Sequence, residues 1–152
     1  MKNESARREL AGDSPEMLPR PAMPCRPGID NERRVICAAY DLWDQLRGVS
    51  EMPNVADIDL SRFPTIAPHV YIVRLAQDLG HSRIIHSGPM FDRAFDMAST
   101  GLTLAEVWPR TYRDHLISYI TSVKIYRKPL AESGTLIVRE GVELMHRNIL
   151  MP

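Results

Sequence analysis

Five histidines are the residues of this chain best suited to chemistry: His69, His81, His86, His115 and His146. Imidazole is a common metal ligand and the side chain whose charge changes closest to neutral pH. No two of the five stand in an HxxxH or HExxH spacing, which would put both rings on one helical face. His81 and His86 are separated by a turn and a strand, so their side chains should diverge. No metal site is expected from these spacings. The chain also lacks a GxSxG elbow, a CxxC pair and a Gly-rich phosphate loop. Asp57, Asp59 and Asp92 form no paired-carboxylate pattern. With no nucleophile constellation and no acid–base pair, the expectation is a protein that is not an enzyme. Cys25 and Cys37 are the two cysteines, too few to build a zinc site alone. A disulfide between them stays open, but reduced thiols and a cytoplasmic location are the plainer expectation.

The elements that must position these residues come from a chain of 152 residues, enough for one domain with a sizeable core. Apolar residues make up 44% and charged residues 25%, both ordinary for a globular protein. The 19 basic and 19 acidic residues cancel, so no long-range field draws the chain to nucleic acid or anionic lipid. Arg7-Arg8 and Arg33-Arg34 are too short for a nucleic-acid footprint. No run approaches the roughly 18 apolar residues of a membrane span. The first 17 residues lack the apolar centre of a signal peptide.

Residues 1–31 carry Pro15, Pro19, Pro21, Pro24 and Pro27 and are expected to form an unstructured leader. Residues 31–47 read as a helix that stops at Gly48, with Val35, Ala39, Leu42 and Leu46 at steps of four and three and Trp43 beside them. Two readings stay open for this N-terminal helix over 32–48. It packs on its own domain, or it pairs with a second copy through Val35, Leu42, Trp43 and Leu46. A Pro-broken connector follows over 50–68.

The segment 69–103 predicts a strand, a hairpin turn over 77–81, a second strand, a short helix over 90–97 and a Thr-Gly corner at Thr100-Gly101. A short helix over 104–109, with Thr103 as its cap, leads to the longest helix over 111–127. Its apolar stripe is Tyr112, Leu116, Tyr119, Val123 and Tyr126. A closing hairpin pairs Leu136-Ile137-Val138 with 144–151 across a turn whose first central residue is Gly141. The fold class expected is α+β: an antiparallel sheet covered by helices, with one domain over 49–152. His115 lies at the edge of the long helix's stripe. A small ligand held between sheet and helix would meet Ile72, Tyr112, His115 and Tyr119.

Four pieces carry a resemblance: LWDQLRG (42–48), ADIDLSRFPTIAPHVYIV (56–73), FDRAFDMASTGLTLAEVW (91–108), and a Tyr-Arg before the long helix that ends in Lys-Pro-Leu. With the closing NILMP, their order and spacing resemble the single-domain PAS family of α-proteobacteria over the last two thirds of the chain. The resemblance implies a bacterial sensor or signalling module, with both hairpins in one antiparallel sheet. It implies action on a separate signalling protein or through a homodimer. Two departures stand out. Leu102 follows the Thr-Gly corner where the family usually has a basic residue, and the family's further C-terminal strand is lacking, as though the domain were truncated. Haem-binding PAS proteins place their axial histidine on the helix that holds His115, but the local sequence does not match theirs, so no cofactor is expected. The alternative reading is a constitutive dimerisation or interaction module with a filled core and no ligand.

Overall fold

The computed structural model describes residues 31–107 and 109–152. The leader expected over 1–31 lies outside this range, save that Asn31 opens the first helix. In chain order the elements are α1 (Asn31–Arg47), β1 (Tyr71–Arg74), β2 (Arg83–Ser87), α2 (Pro89–Phe95), α3 (Arg110–Tyr126), β3 (Leu130–Arg139) and β4 (Val142–Leu150). The chain is α+β, as expected. No described helix is long and apolar enough to cross a membrane.

Local chemistry explains most boundaries. In the connector, Asn54 accepts from Ala56 N and Asp59 accepts from Ser61 N. Each thereby caps a single turn, Val55–Asp57 and Leu60–Arg62. Asp78 does the same for Leu79–His81, the turn that joins β1 to β2. Pro89 opens α2, where a missing N–H costs nothing. Thr103 N and Thr103 Oγ1 both donate to Glu106 Oε2 at 2.7 Å, which fixes the turn Leu104–Glu106. α3 ends at Arg127, a left-handed cap with φ 52°, just before Pro129.

One face of α3 is the spine of the core. Tyr112, Leu116 and Ile120 pack with Ile84 of β2 and with Leu104 and Val107. Tyr119 and Val123 continue the face onto Leu130 of β3. From β1, Tyr71 and Val73 reach this cluster, and from the second hairpin, Leu136 and Leu150 do. Both hairpins therefore lie against the same helix.

They do not form one sheet. β1 pairs only with β2 and β3 only with β4, giving two separate two-stranded antiparallel sheets among the described residues. The single continuous sheet implied by the sequence resemblance is thus corrected. No described strand bridges the hairpins, and α3 joins them through side chains instead of a backbone ladder. Two smaller corrections concern β3 and its turn. β3 begins at Leu130, six residues ahead of Leu136. Gly141, with φ 73°, is the second of the two residues between the strands, not the first.

The first hairpin is tied to its surroundings by backbone bonds. Ile84 N donates to Leu102 O, Gly101 N to Ile84 O, and Leu104 N to Ser82 O. The Thr-Gly corner thus pairs with β2, and Gly101 takes φ 93° to do it. Gly88, at the end of β2, sits against the backbone of 67–68. A Cβ there would stand 2.5 Å from Ala67 O and 2.6 Å from Pro68 C, and nearer still to Pro68 O.

α1 packs on its own chain through Trp43, which is 8% exposed. Its indole Nε1 donates to Pro152 O at 2.7 Å. Arg47 lies over the same ring, 5.3 Å from its centroid. Val35, Leu42 and Leu46 are half-buried. Of the two readings left open for this helix, packing on its own domain is the one Trp43 follows. Leu42 lines a cleft of about 390 Å³ with Phe63 and Ile66. Cys37, in the middle of α1, is disulfide-bonded, where the sequence favoured reduced thiols.

Candidate functional site

The most chemically loaded spot is the seam between α3 and the second hairpin. Three side chains from three elements meet there. His115 is on α3, between Tyr112 and Tyr119 and beside the buried stripe. Glu132 is on β3 and His146 is on β4.

Strand register explains the meeting. Gly134 stands opposite His146, and Glu132 opposite Asn148. Directly opposed residues share a face, as do residues two apart on one strand. Glu132, His146 and Asn148 therefore lie on the face turned to α3, while Met145 and Arg147 point to solvent. Gly134 leaves room for the imidazole. A Cβ there would be 3.2 Å from His146 Cε1.

A single carboxylate oxygen sits between the two rings. Glu132 Oε1 lies 2.5 Å from His115 Nε2 and 3.0 Å from His146 Nε2. The imidazoles meet edge to face, 6.1 Å between centroids. The site is partly sheltered: the side chains of His115, Glu132 and His146 are 38%, 20% and 14% exposed. Two polar atoms on this face of β4, His146 Nδ1 and Asn148 Oδ1, are buried without a hydrogen-bond partner among the described residues. Buried polar atoms are normally paired, so two orphans beside one cluster are unusual.

The phenols around this site are shifted chiefly by burial. Loss of hydration pushes Tyr71 up to about 12, and the Glu132 charge adds to the effect. Burial raises Tyr112 well above the ordinary phenol value, with Tyr71 and Glu132 reinforcing it. Tyr119 is raised by burial and then by Glu132. All three hydroxyls stay protonated at neutral pH. Tyr119 uses its proton to donate to Leu130 O.

Of the pocket residues expected from the sequence, Tyr112 and Tyr119 are buried core, 4% and 3% exposed. Tyr112 stacks on Phe95 at 4.3 Å between centroids, and Phe91 bridges Phe95 to Tyr71. Aromatic rings fill the space where a ligand was expected against the first hairpin. Ile72 is half-buried, but the β1 side chains packed on the α3 core are its neighbours Tyr71 and Val73. Ile72 thus stands apart from the other three. His115 alone keeps a chemically available position, 6.2 Å from the Tyr119 ring.

Glu132 was not singled out by the sequence, and His146 stood only among the five histidines, with no partner assigned to it. They are 17 and 14 residues from their partners in the chain, far outside any short metal motif. The available signal was the alternation Leu144, His146, Asn148, Leu150 in β4, which puts a histidine on an apolar strand face.

Comparison with family models, with curated proteins and with solved structures returns no match.

Proposed function

We propose that this protein is a sensor module without catalytic activity, responding to a small ligand at the seam of α3 and the β3–β4 hairpin and signalling through contacts with another protein or a second copy of itself. The observation that carries this reading is the half-sheltered His115–Glu132–His146 cluster with two orphaned polar atoms on its β4 face. A purely structural seam would be served by apolar side chains, because polar groups in partial burial cost stability unless they are paired. The cluster also joins two elements, so a ligand there biases how the hairpin sits on the helix.

The order of strand, strand, short helices, long helix and hairpin supports a PAS-type module. The separation of the hairpins into two sheets counts against it, and the proposal does not depend on the family name. A second reading, a constitutive interaction module, is favoured by the aromatic filling of Tyr71, Phe91, Phe95 and Tyr112.

Native mass spectrometry and size-exclusion chromatography of the purified full chain, beside Glu132→Gln, test the choice. The sensor reading expects a bound mass, or a change in oligomeric state, that Glu132→Gln loses while staying folded. An apo mass and one oligomeric state shared by both proteins would leave the constitutive module standing.

A further inference from the structure

We infer that His115, Glu132 and His146 form a binding site for one divalent transition-metal cation of the zinc type, which names the ligand class of the seam site and rests on that reading. The donor set is two imidazole nitrogens and one carboxylate oxygen. Such a set suits a borderline cation and leaves a coordination position open for water or an added ligand.

The geometry is close to what the metal requires. One ring nitrogen from each histidine and a carboxylate oxygen all lie within 4.8 Å of one another. Ligand atoms about 2.0–2.1 Å from a tetrahedral zinc are about 3.3 Å apart. His115 Nε2 at 2.5 Å from Glu132 Oε1 has to retreat by under an ångström, and His146 Nε2 at 3.0 Å by less. Histidine and glutamate side chains absorb such shifts by small torsions. The cation would take the place of the protons that now bind each ring to the shared oxygen.

The burial fits as well. The cluster is open enough to admit an ion from the His115 side and closed enough to limit competing water. Metal at Nε2 fixes the proton of His146 on Nδ1. That N–H has no acceptor within the described structure, while Asn148 Oδ1, on the same strand face, has no donor. Ligating histidines depend on such second partners, and a site that lacks one binds its metal less tightly. Exchangeable binding suits a sensor better than a permanent structural ion does.

The test is a titration of the full chain with Co²⁺, read by its visible absorption, followed by displacement with Zn²⁺. The expected result is a visible band that saturates at one equivalent and is erased by Zn²⁺. His146→Ala and Glu132→Gln should each weaken binding at least tenfold, since changes even to outer partners of a metal do so. His81→Ala removes an exposed histidine paired with Asp78 and should change nothing. Circular dichroism of each variant separates lost binding from lost folding, and His115→Ala, at the most exposed corner, gives a variant least prone to misfold. Saturation that survives in both His115→Ala and His146→Ala, or no saturable band in the parent chain, overturns the inference. Should cobalt fail while native mass spectrometry shows another ligand that Glu132→Gln loses, the sensor reading stands and the metal falls. Should both fail, both fall.

Discussion

The two hairpins share one helix and little else. The first, β1–β2, is short and braced on every side. Its turn is a capped helical turn, Ile84 is fully buried, and backbone bonds lock β2 to the Thr-Gly corner. Asp92 adds a polar clamp, accepting from Ser87 Oγ at 2.6 Å and from Ser99 N at 3.0 Å. The second, β3–β4, is twice as long and more thinly braced, with Leu136 its one core contact near the tip. Leu130 and Leu150 pack on α3, while Ile137, Val142 and Met145 near the tip are exposed. The candidate site sits on the second hairpin, between the Leu130 and Leu150 contacts at its base and the exposed residues at its tip. The more tightly braced hairpin and the hairpin that carries the candidate site are thus separate segments of the chain. Functional elements are commonly drawn from the less braced parts of a fold.

Substitutions in the first hairpin should therefore act globally. The largest expected effect is from Gly88→Ala. Its Cβ would collide with backbone, which cannot rotate away. The loss should be about 3 kcal/mol or more, read as a fall in the denaturant midpoint. A neutral result would show that the contact between β2 and 67–68 is looser than drawn. Next comes the pair Ile84→Ala and Met145→Ala. Ile84 is fully enclosed and its truncation should cost about 2–5 kcal/mol. Met145 is 84% exposed, and its loss should stay within about 0.5 kcal/mol. Equal costs from chemical denaturation would erase the distinction between the hairpins.

The smallest effect sharpens it in acid. Partial burial works to raise the Asp92 carboxyl, but hydrogen bonds from Ser87 and Ser99 outweigh it and hold the group below the ordinary aspartate value. A depressed folded pKa gives stability that is full above the unfolded value, about 3.9. It is lost as pH falls through the folded value. Asp92→Asn should flatten the decline of stability below about pH 4. An unchanged acid limb in thermal melts at stepped pH would remove Asp92 from the bracing of the first hairpin.

Much of this contrast was legible beforehand. The helices α1 and α3 follow from apolar steps of three and four that end at Gly48 and Pro129, and the first hairpin follows from β-branched runs around a capped turn. The start of β3 was hidden because Glu132-Ser133-Gly134-Thr135 is polar and contains glycine, so nothing apolar marks a strand. Glu132 fell in that gap. The partnership of His115 with His146 depends on hairpin register and on where the hairpin meets α3. A periodic pattern assigns a face, but it does not say which helix that face will meet. The one-sheet expectation failed for a related reason. Alternation predicts strands, and the choice of neighbour is made by tertiary packing.

The bond from Trp43 to Pro152 joins residues 109 apart in the chain. A contact that distant closes most of the described polypeptide into one loop, and contacts of large separation form slowly. Among the described residues, few contacts tie α1 to the rest beyond this bond and the Trp43 packing, so amide exchange in α1 is expected to outrun exchange in α3, whose face is the core.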